Sequence, residues 1–169
     1  RIYKETPEAE TGEIQVRGEN VMVGYYKNQE ATDAVIDEDG WFHTGDLATM
    51  SADGHFFVRG RSKNMLLGPN GQNIYPEEIE DKLNSLALVA ESVVVQKGDK
   101  LIALVHPDYD EAQTLNLGTS ELADVMEQNL QELNTMIPAY SKVSEIRIHE
   151  DEFEKTPKKS IKRFLYTAE

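Results

Sequence analysis

Along residues 120–137 a single apolar stripe runs through an otherwise charged segment. Leu122, Val125, Met126, Leu130, Leu133 and Ile137 recur at helical spacing and share one face. Pro138 stops the pattern, because proline has no N–H to donate and its ring clashes with the preceding turn. A helix this one-sided has to lie against a second layer, and the flanking sequence offers a sheet. Residues 92–96 and 101–105 are apolar runs joined at Lys97-Gly98-Asp99-Lys100, which predicts an antiparallel pair. Residues 145–149 alternate polar and apolar and predict another strand. Upstream, Pro76 suits the first position of a helix, Glu77 and Glu78 suit its first turn, and Ile79, Leu83 and Leu86 fall on one face. The segment before it, Gly68-Pro69-Asn70-Gly71-Gln72-Asn73, is too rich in glycine and asparagine to be regular. The order is short strand, helix, two strands, helix, strand, tail. It predicts a small α+β domain with helices against a mainly antiparallel sheet.

The first sixty residues follow another pattern. Residues 13–17 alternate as a strand, and Val21-Met22-Val23 with Tyr25-Tyr26 suggest a second extended piece. Residues 28–35 suit a short helix with Asn28 as its cap. Asp39-Gly40 is a turn that delivers Trp41-Phe42, and Asp53-Gly54 joins residues 47–50 to 55–59 as a hairpin. Residues 1–60 therefore read as a β-rich piece, with the boundary at residues 61–63.

Charge and composition narrow the function. The net charge of -14 sets the chain against nucleic acid and anionic lipid, although it leaves peripheral membrane association open. No run of eighteen apolar residues occurs. Zero cysteines exclude disulfides, thiolate metal sites and cysteine nucleophiles, and fit a cytoplasmic protein. The four histidines have no metal-ligand spacing, and no glycine-rich phosphate loop ending in Gly-Lys-Ser/Thr occurs. One stretch runs against the charge. Lys155, Lys158, Lys159, Lys162 and Arg163 suggest a local anion partner, either phosphates or an acidic surface of the protein itself.

Two segments suggest chemistry: Trp41-Phe42-His43-Thr44-Gly45-Asp46-Leu47 and Gly60-Arg61-Ser62-Lys63-Asn64-Met65. The Asp46 carboxylate can accept hydrogen bonds from both hydroxyls of a ribose. Thr44-Gly45 is expected to turn closely beneath it, and Arg61 is a fixed, always charged donor fork. Taken alone, Asp46 would read as a turn residue capping its own backbone, and Arg61 as a surface ion-pair partner.

These segments and their spacing resemble the adenylate-forming ligases, the superfamily of acyl-CoA synthetases and peptide-synthetase adenylation domains. Asn73-Ile74-Tyr75-Pro76-Glu77-Glu78-Ile79-Glu80 is similar to that family's loop-then-helix signature. The resemblance implies residues 1–60 as the end of a large N-terminal domain, 61–63 as a hinge and 64–169 as a mobile lid. The start without Met, in mid-pattern, fits an excised piece. It implies ATP and coenzyme A as co-substrates, with the Mg2+ site mostly in the large domain. Asp46 then contacts the ATP ribose, Arg61 the ribose or a phosphate, and Lys63 is the hinge. Gly71, Gln72 and Asn73 line the path of the CoA arm. Family members often end in Pro-Lys-Thr-x-x-Gly-Lys-Ile-x-Arg, where the second lysine reaches the adenylate. Here Ser160 stands at that lysine and Lys159 at the glycine. Either Lys159 takes over by a one-residue shift or the protein manages without the lysine; the first is preferred. The segments Gly12-Glu13-Ile14-Gln15-Val16-Arg17-Gly18 and Ile161-Lys162-Arg163-Phe164-Leu165-Tyr166 are most similar to long-chain fatty acid–CoA ligases. The rivals are a peptide-synthetase adenylation domain and a non-catalytic binding module that keeps the lid fold. The chain alone is expected to fold in part and to be inactive.

Overall fold

A computed structural model of the chain describes residues 1–166. The chain divides into two compact units, Arg1–Met65 and Leu66–Glu169.

The first unit is an antiparallel sheet in which strands that follow one another in sequence lie side by side. Its strands are β1 (Ile2–Tyr3), β2 (Gly12–Val16), β3 (Phe42–Met50) and β4 (Phe56–Arg61), in the spatial order β1-β2-β3-β4. The β3–β4 hairpin turns where Asp53-Gly54 predicts it, with Gly54 at φ 86 donating its N–H to Ser51 O. The short helix α1 (Gln29–Asp33) has its predicted cap, since Asn28 Oδ1 accepts from Ala31 N at 3.0 Å. The second extended piece expected at residues 21–26 is not a strand. Its backbone is tied to α1 instead: Tyr25 N donates to Thr32 Oγ1, and Gly24 packs so closely that a Cβ there would lie 2.8 Å from Thr32 Cγ2.

The second unit has the predicted α+β plan. Helix α2 (Pro76–Leu83) begins on its proline, and the strands β7 (Val89–Lys97) and β8 (Lys100–Pro107) turn at Gly98, φ 59. Helix α4 (Thr119–Met136) buries Leu122, Met126 and Leu133. Strand β9 (Val143–Ile148) completes the three-stranded sheet β7-β8-β9. The described sheets are mainly antiparallel, with β8 and β9 as a parallel pair. The parallel pairing follows from the connection, because two helices, α3 (Tyr109–Thr114) and α4, carry the chain back before β9 begins. Helix α3 has no counterpart in the expected order. It is capped by Asp108 Oδ1, which accepts from Glu111 N at 2.9 Å.

Residues of β7 and β8 alternate between two cores. Val94, Ala103 and Val105 face α2 and α4 in one core, while Val93, Ile102 and Leu104 meet Phe153, Ile161 and Tyr166 of the tail in the other. Both faces are covered, which is why these strands read as continuous apolar runs.

The loop expected before α2 is in fact a small hairpin of β5 (Leu66–Leu67) and β6 (Asn73–Ile74). Gly71 N donates to Gly68 O and Gly68 N to Gln72 O, with Gly71 at φ 79, so the glycines close a tight turn. Among the described residues no helix is long and apolar enough to cross a membrane.

Candidate functional site

Asp46 and Arg61 are direct partners across the β3–β4 ladder, and Arg61 Nη1 donates to Asp46 Oδ1 at 2.5 Å. Both side chains remain partly exposed. Two irregularities aim them. Against β4 the register slips between Leu47↔Gly60 and Ala48↔Val58, which leaves Arg59 as an extra residue beside the pair. Against β2, the pairs Glu13↔Leu47 and Gln15↔His43 leave Ile14 opposite Thr44, Gly45 and Asp46 together. The expected Thr-Gly turn is therefore a bulge inside a continuous strand. Gly45 at φ 73 makes it possible, and a Cβ there would sit 3.5 Å from Arg61 Nη2. The Asp46 carboxylate meets Arg61 and does not cap its own backbone; the local cap comes from Thr44, whose Oγ1 accepts from Asp46 N and donates to Ile14 O.

Lys63 is exposed in the turn that follows β4, where Asn64 N and Met65 N both donate to Arg61 O. In the other unit, Gly71 and Asn73 are exposed at the β5–β6 turn, and a Cβ on Gly71 would meet nothing within 4 Å. Gln72 is half-buried, and its Oε1 is a buried acceptor with no partner among the described residues.

The tail also forms a hairpin. Lys155 pairs with Ile161, Thr156 N donates to Ser160 O, and Lys159 N donates to Thr156 O. Lys159 stands at φ 62, a left-handed conformation that favours glycine. In the alignment that the resemblance implies, this left-handed residue is the one set against the motif's glycine, and Ser160 the one set against its lysine.

The five basic residues of the tail divide into two groups. Lys155 Nζ lies 2.6 Å from Glu91 Oε1, and Lys162 Nζ lies 3.0 Å from Glu154 Oε2. Arg163 bonds to Glu80 Oε2. Lys158 and Lys159, at the exposed tip, have no ion-pair partner among the described residues. Of the two anion partners suggested by the sequence, the protein's own carboxylates take three of the cations.

Glu80 was not legible as a site residue. It is 6% exposed, it accepts from Val94 N at 2.6 Å, and burial raises its pKa while Arg163 and the Val94 N–H pull it back. It lies next to Ile79 on α2, and apolar periodicity does not reveal an inward carboxylate.

The sequence model of the AMP-binding enzyme C-terminal domain matches residues 63–169. The chain belongs to the AMP-binding enzyme C-terminal domain family. Among family relatives, a probable acyl-activating enzyme 10 of Arabidopsis thaliana is 35% identical over 155 residues, covering 91% of this chain and 28% of its own. An indoleacetate–CoA ligase of Aromatoleum aromaticum is 42% identical over 113 residues, covering 64% of this chain and 21% of its own. The chain thus spans about a quarter of the length of these relatives. The adenylation domain of a carboxylate reductase from Mycobacterium chelonae has the same fold, with a TM-score of 0.82 over 97% of this chain and 27% of that one, at 21% identity.

Proposed function

We propose that this chain is the C-terminal part of an ATP-dependent, AMP-forming acid–CoA ligase, with a long-chain fatty acid as the acid. The observation that carries the ligase reading is the Asp46–Arg61 pair, held out of a regular ladder by a bulge on one side and an extra residue on the other. A partly exposed carboxylate anchored at its backbone is suited to the hydroxyls of a ribose, and Arg61, which bonds its Oδ1, to the same sugar or a phosphate.

In the reaction the acid's carboxylate oxygen attacks the α-phosphorus of ATP, and pyrophosphate leaves. The thiol of CoA then attacks the carbonyl of the acyl adenylate, and AMP leaves. Charge gathers around the α-phosphate in both steps, so positioned cations contribute most. Lys159 at the tail hairpin tip is the cation we assign to that phosphate. Lys63 is the hinge about which residues 64–169 turn between the two steps, keeping water from the adenylate. Gly71, Gln72 and Asn73 line the path of the CoA arm, where a glycine leaves space beside the backbone. Mg2+ accompanies ATP in this reading. The described residues contain no group of three or more His, Asp or Glu able to hold a metal, so no step is assigned to one here. The large domain on which the lid would close lies upstream, a reading supported by the share of the relatives' length that this chain spans. The lack of cysteine supports a reducing, cytoplasmic setting.

The fatty-acid assignment rests on the likeness of residues 12–18 and 161–166 to long-chain enzymes. A second reading, a lid-shaped module without catalysis, draws on Ser160 at the lysine position. Pyrophosphate release by the complete enzyme, measured across acids of graded length with and without CoA, tests both. Release that needs a long-chain acid, with acyl-CoA formed when CoA is added, supports the ligase. Release with short or aromatic acids alone removes the fatty-acid assignment, and no release with any acid favours the module. The chain by itself is expected to give no turnover, and acid-dependent ATP consumption by it would overturn that expectation.

A further inference from the structure

The bulge that frees Asp46 also deprives β3 of part of its β2 ladder. Where three residues of β3 face Ile14 alone, the N–H of Gly45 has no acceptor in the β2 ladder. A side chain supplies it. Glu13 Oε1 accepts from Gly45 N at 2.9 Å, while its Oε2 lies 2.7 Å from His43 Nδ1. The imidazole bridges onward, with Nε2 at 3.6 Å from Asp37 Oδ2. Gln15, 1% exposed, lies beneath: its Nε2 is 3.4 Å from Glu13 Oε2 and 3.1 Å from His43 Nδ1, and its Oε1 accepts from Arg1 Nε at 2.8 Å. Arg1 Nη2 closes the ring 3.9 Å from Asp37. The Asp37 carboxyl is held below its ordinary value, first by the Trp41 N–H and also by His43, so this carboxylate stays charged beside the ring.

We propose that Glu13 is a positioning residue for the nucleotide: its carboxylate takes the place of the missing ladder partner of Gly45 and so fixes Asp46 for the ribose, with His43 holding the second oxygen. The proposal rests on the reading that Asp46 binds ribose. Glu13 itself touches no substrate. One oxygen is spent on the Gly45 backbone and the other on an imidazole, so the group faces the strand and not the ligand. Its chemistry suits the task, because a charged acceptor bonds a backbone N–H more strongly than a neutral one.

The test uses the complete enzyme and measures KM for ATP beside KM for CoA in four variants. Glu13→Ala should raise KM for ATP about tenfold, the loss of one charge-assisted hydrogen bond, and leave KM for CoA unchanged. Glu13→Gln keeps an acceptor for Gly45 and should restore most of the affinity. His43→Ala leaves Oε1 on Gly45 and should raise KM for ATP less than Glu13→Ala. Asp46→Ala separates the proposal from its foundation. If Asp46→Ala raises KM for ATP and Glu13→Ala does not, Glu13 has no positioning role. If Asp46→Ala leaves KM for ATP unchanged, the ribose reading itself falls, and the proposal with it. A rise shared equally by ATP and CoA, or not relieved in Glu13→Gln, would mark Glu13 as merely structural and overturn the proposal. Should Glu13→Ala melt below assay temperature, Glu13→Asp takes its place: a carboxylate one methylene shorter cannot reach Gly45 and His43 together, so it should still raise KM for ATP alone, and an unchanged KM for ATP would overturn the proposal.

Discussion

Lys159 has a side chain where the backbone favours none. At φ 62 a non-glycine residue costs roughly 1–2 kcal/mol, so glycine at this position would relax the hairpin. Strain kept in a solvent-exposed turn is a reason to look for a gain elsewhere, and a cation aimed at a phosphate is one. Stability and activity should therefore move in opposite directions in Lys159→Gly. Thermal unfolding should be unchanged or shifted upward, while adenylate formation in the complete enzyme should fall by about a hundredfold, the scale of losing one preorganised charge-stabilising group. Retained activity in Lys159→Gly would remove Lys159 from the mechanism. The companion variant Ser160→Lys places a lysine at the position the family motif uses and should not recover activity in the Lys159→Gly background. Recovery would mean that position 160, and not the hairpin tip, faces the adenylate.

At the scale of elements, the tail is part of the core of its unit. Phe153, Ile161 and Tyr166 cover one face of the β7–β8 pair, and Arg163 reaches α2 through Glu80. Helices α2 and α4 and the β7–β8 pair were legible because their signals are local, namely the stripe of α4, Pro76 at the start of α2 and Gly98 in the β7–β8 turn, whereas α3 and the β5–β6 hairpin were not. The tail's packing was not, since apolar residues in a basic, irregular segment have no period. The parallel placement of β9 was hidden for a related reason, because alternation marks a strand without its neighbour. At the site, Asp46 and Arg61 stood out as a motif, whereas Glu13 acts only where the bulge brings it against Gly45. Glu80 gives this level its own test. Replacing Arg163 with methionine leaves a buried carboxylate unpaired and should destabilise the unit by roughly 3–5 kcal/mol at neutral pH. Glu80→Gln keeps an acceptor for Val94 N and should cost far less. The folded-state pKa of Glu80 is raised, so its contribution is fully present below the unfolded value of about 4.3 and is lost as pH rises through the folded value. The stability of wild type relative to Glu80→Gln should accordingly decline as pH rises across that window. Urea unfolding, with hydrogen exchange at the Val94 amide as a local probe, measures it; a difference independent of pH would show that Glu80 titrates normally.

The whole molecule is two units joined between Met65 and Leu66. The proposed ligand groups fall on both sides: Asp46 and Arg61 in Arg1–Met65, the β5–β6 turn and the tail hairpin in Leu66–Glu169. In the proposed two-step reaction, a phosphate-facing cation would serve the first step and a thiol path the second, which one unit presenting different edges in turn would supply. Lys63 lies in the turn that closes the first unit, two residues after a strand that is fixed by its ladder and by Ser62 N donating to Gly45 O. Proline at 63 would lock φ near -65° and bias Ser62 away from the helical region, restricting rotation there without touching Asp46 or Lys159. In the complete enzyme, Lys63→Pro should leave acid-dependent pyrophosphate release within about threefold of wild type and lower thioester formation from the adenylate by at least about a hundredfold, a difference of some 2.7 kcal/mol in one barrier alone. Rapid-quench measurement of each half-reaction separates the two. Loss of both steps together would mean that proline distorts the Arg61 end of β4, and a Lys63→Ala control would then show whether the side chain or the backbone matters. Retention of both steps would mean that the units do not turn about residue 63, and the hinge would have to be sought elsewhere in the link or abandoned.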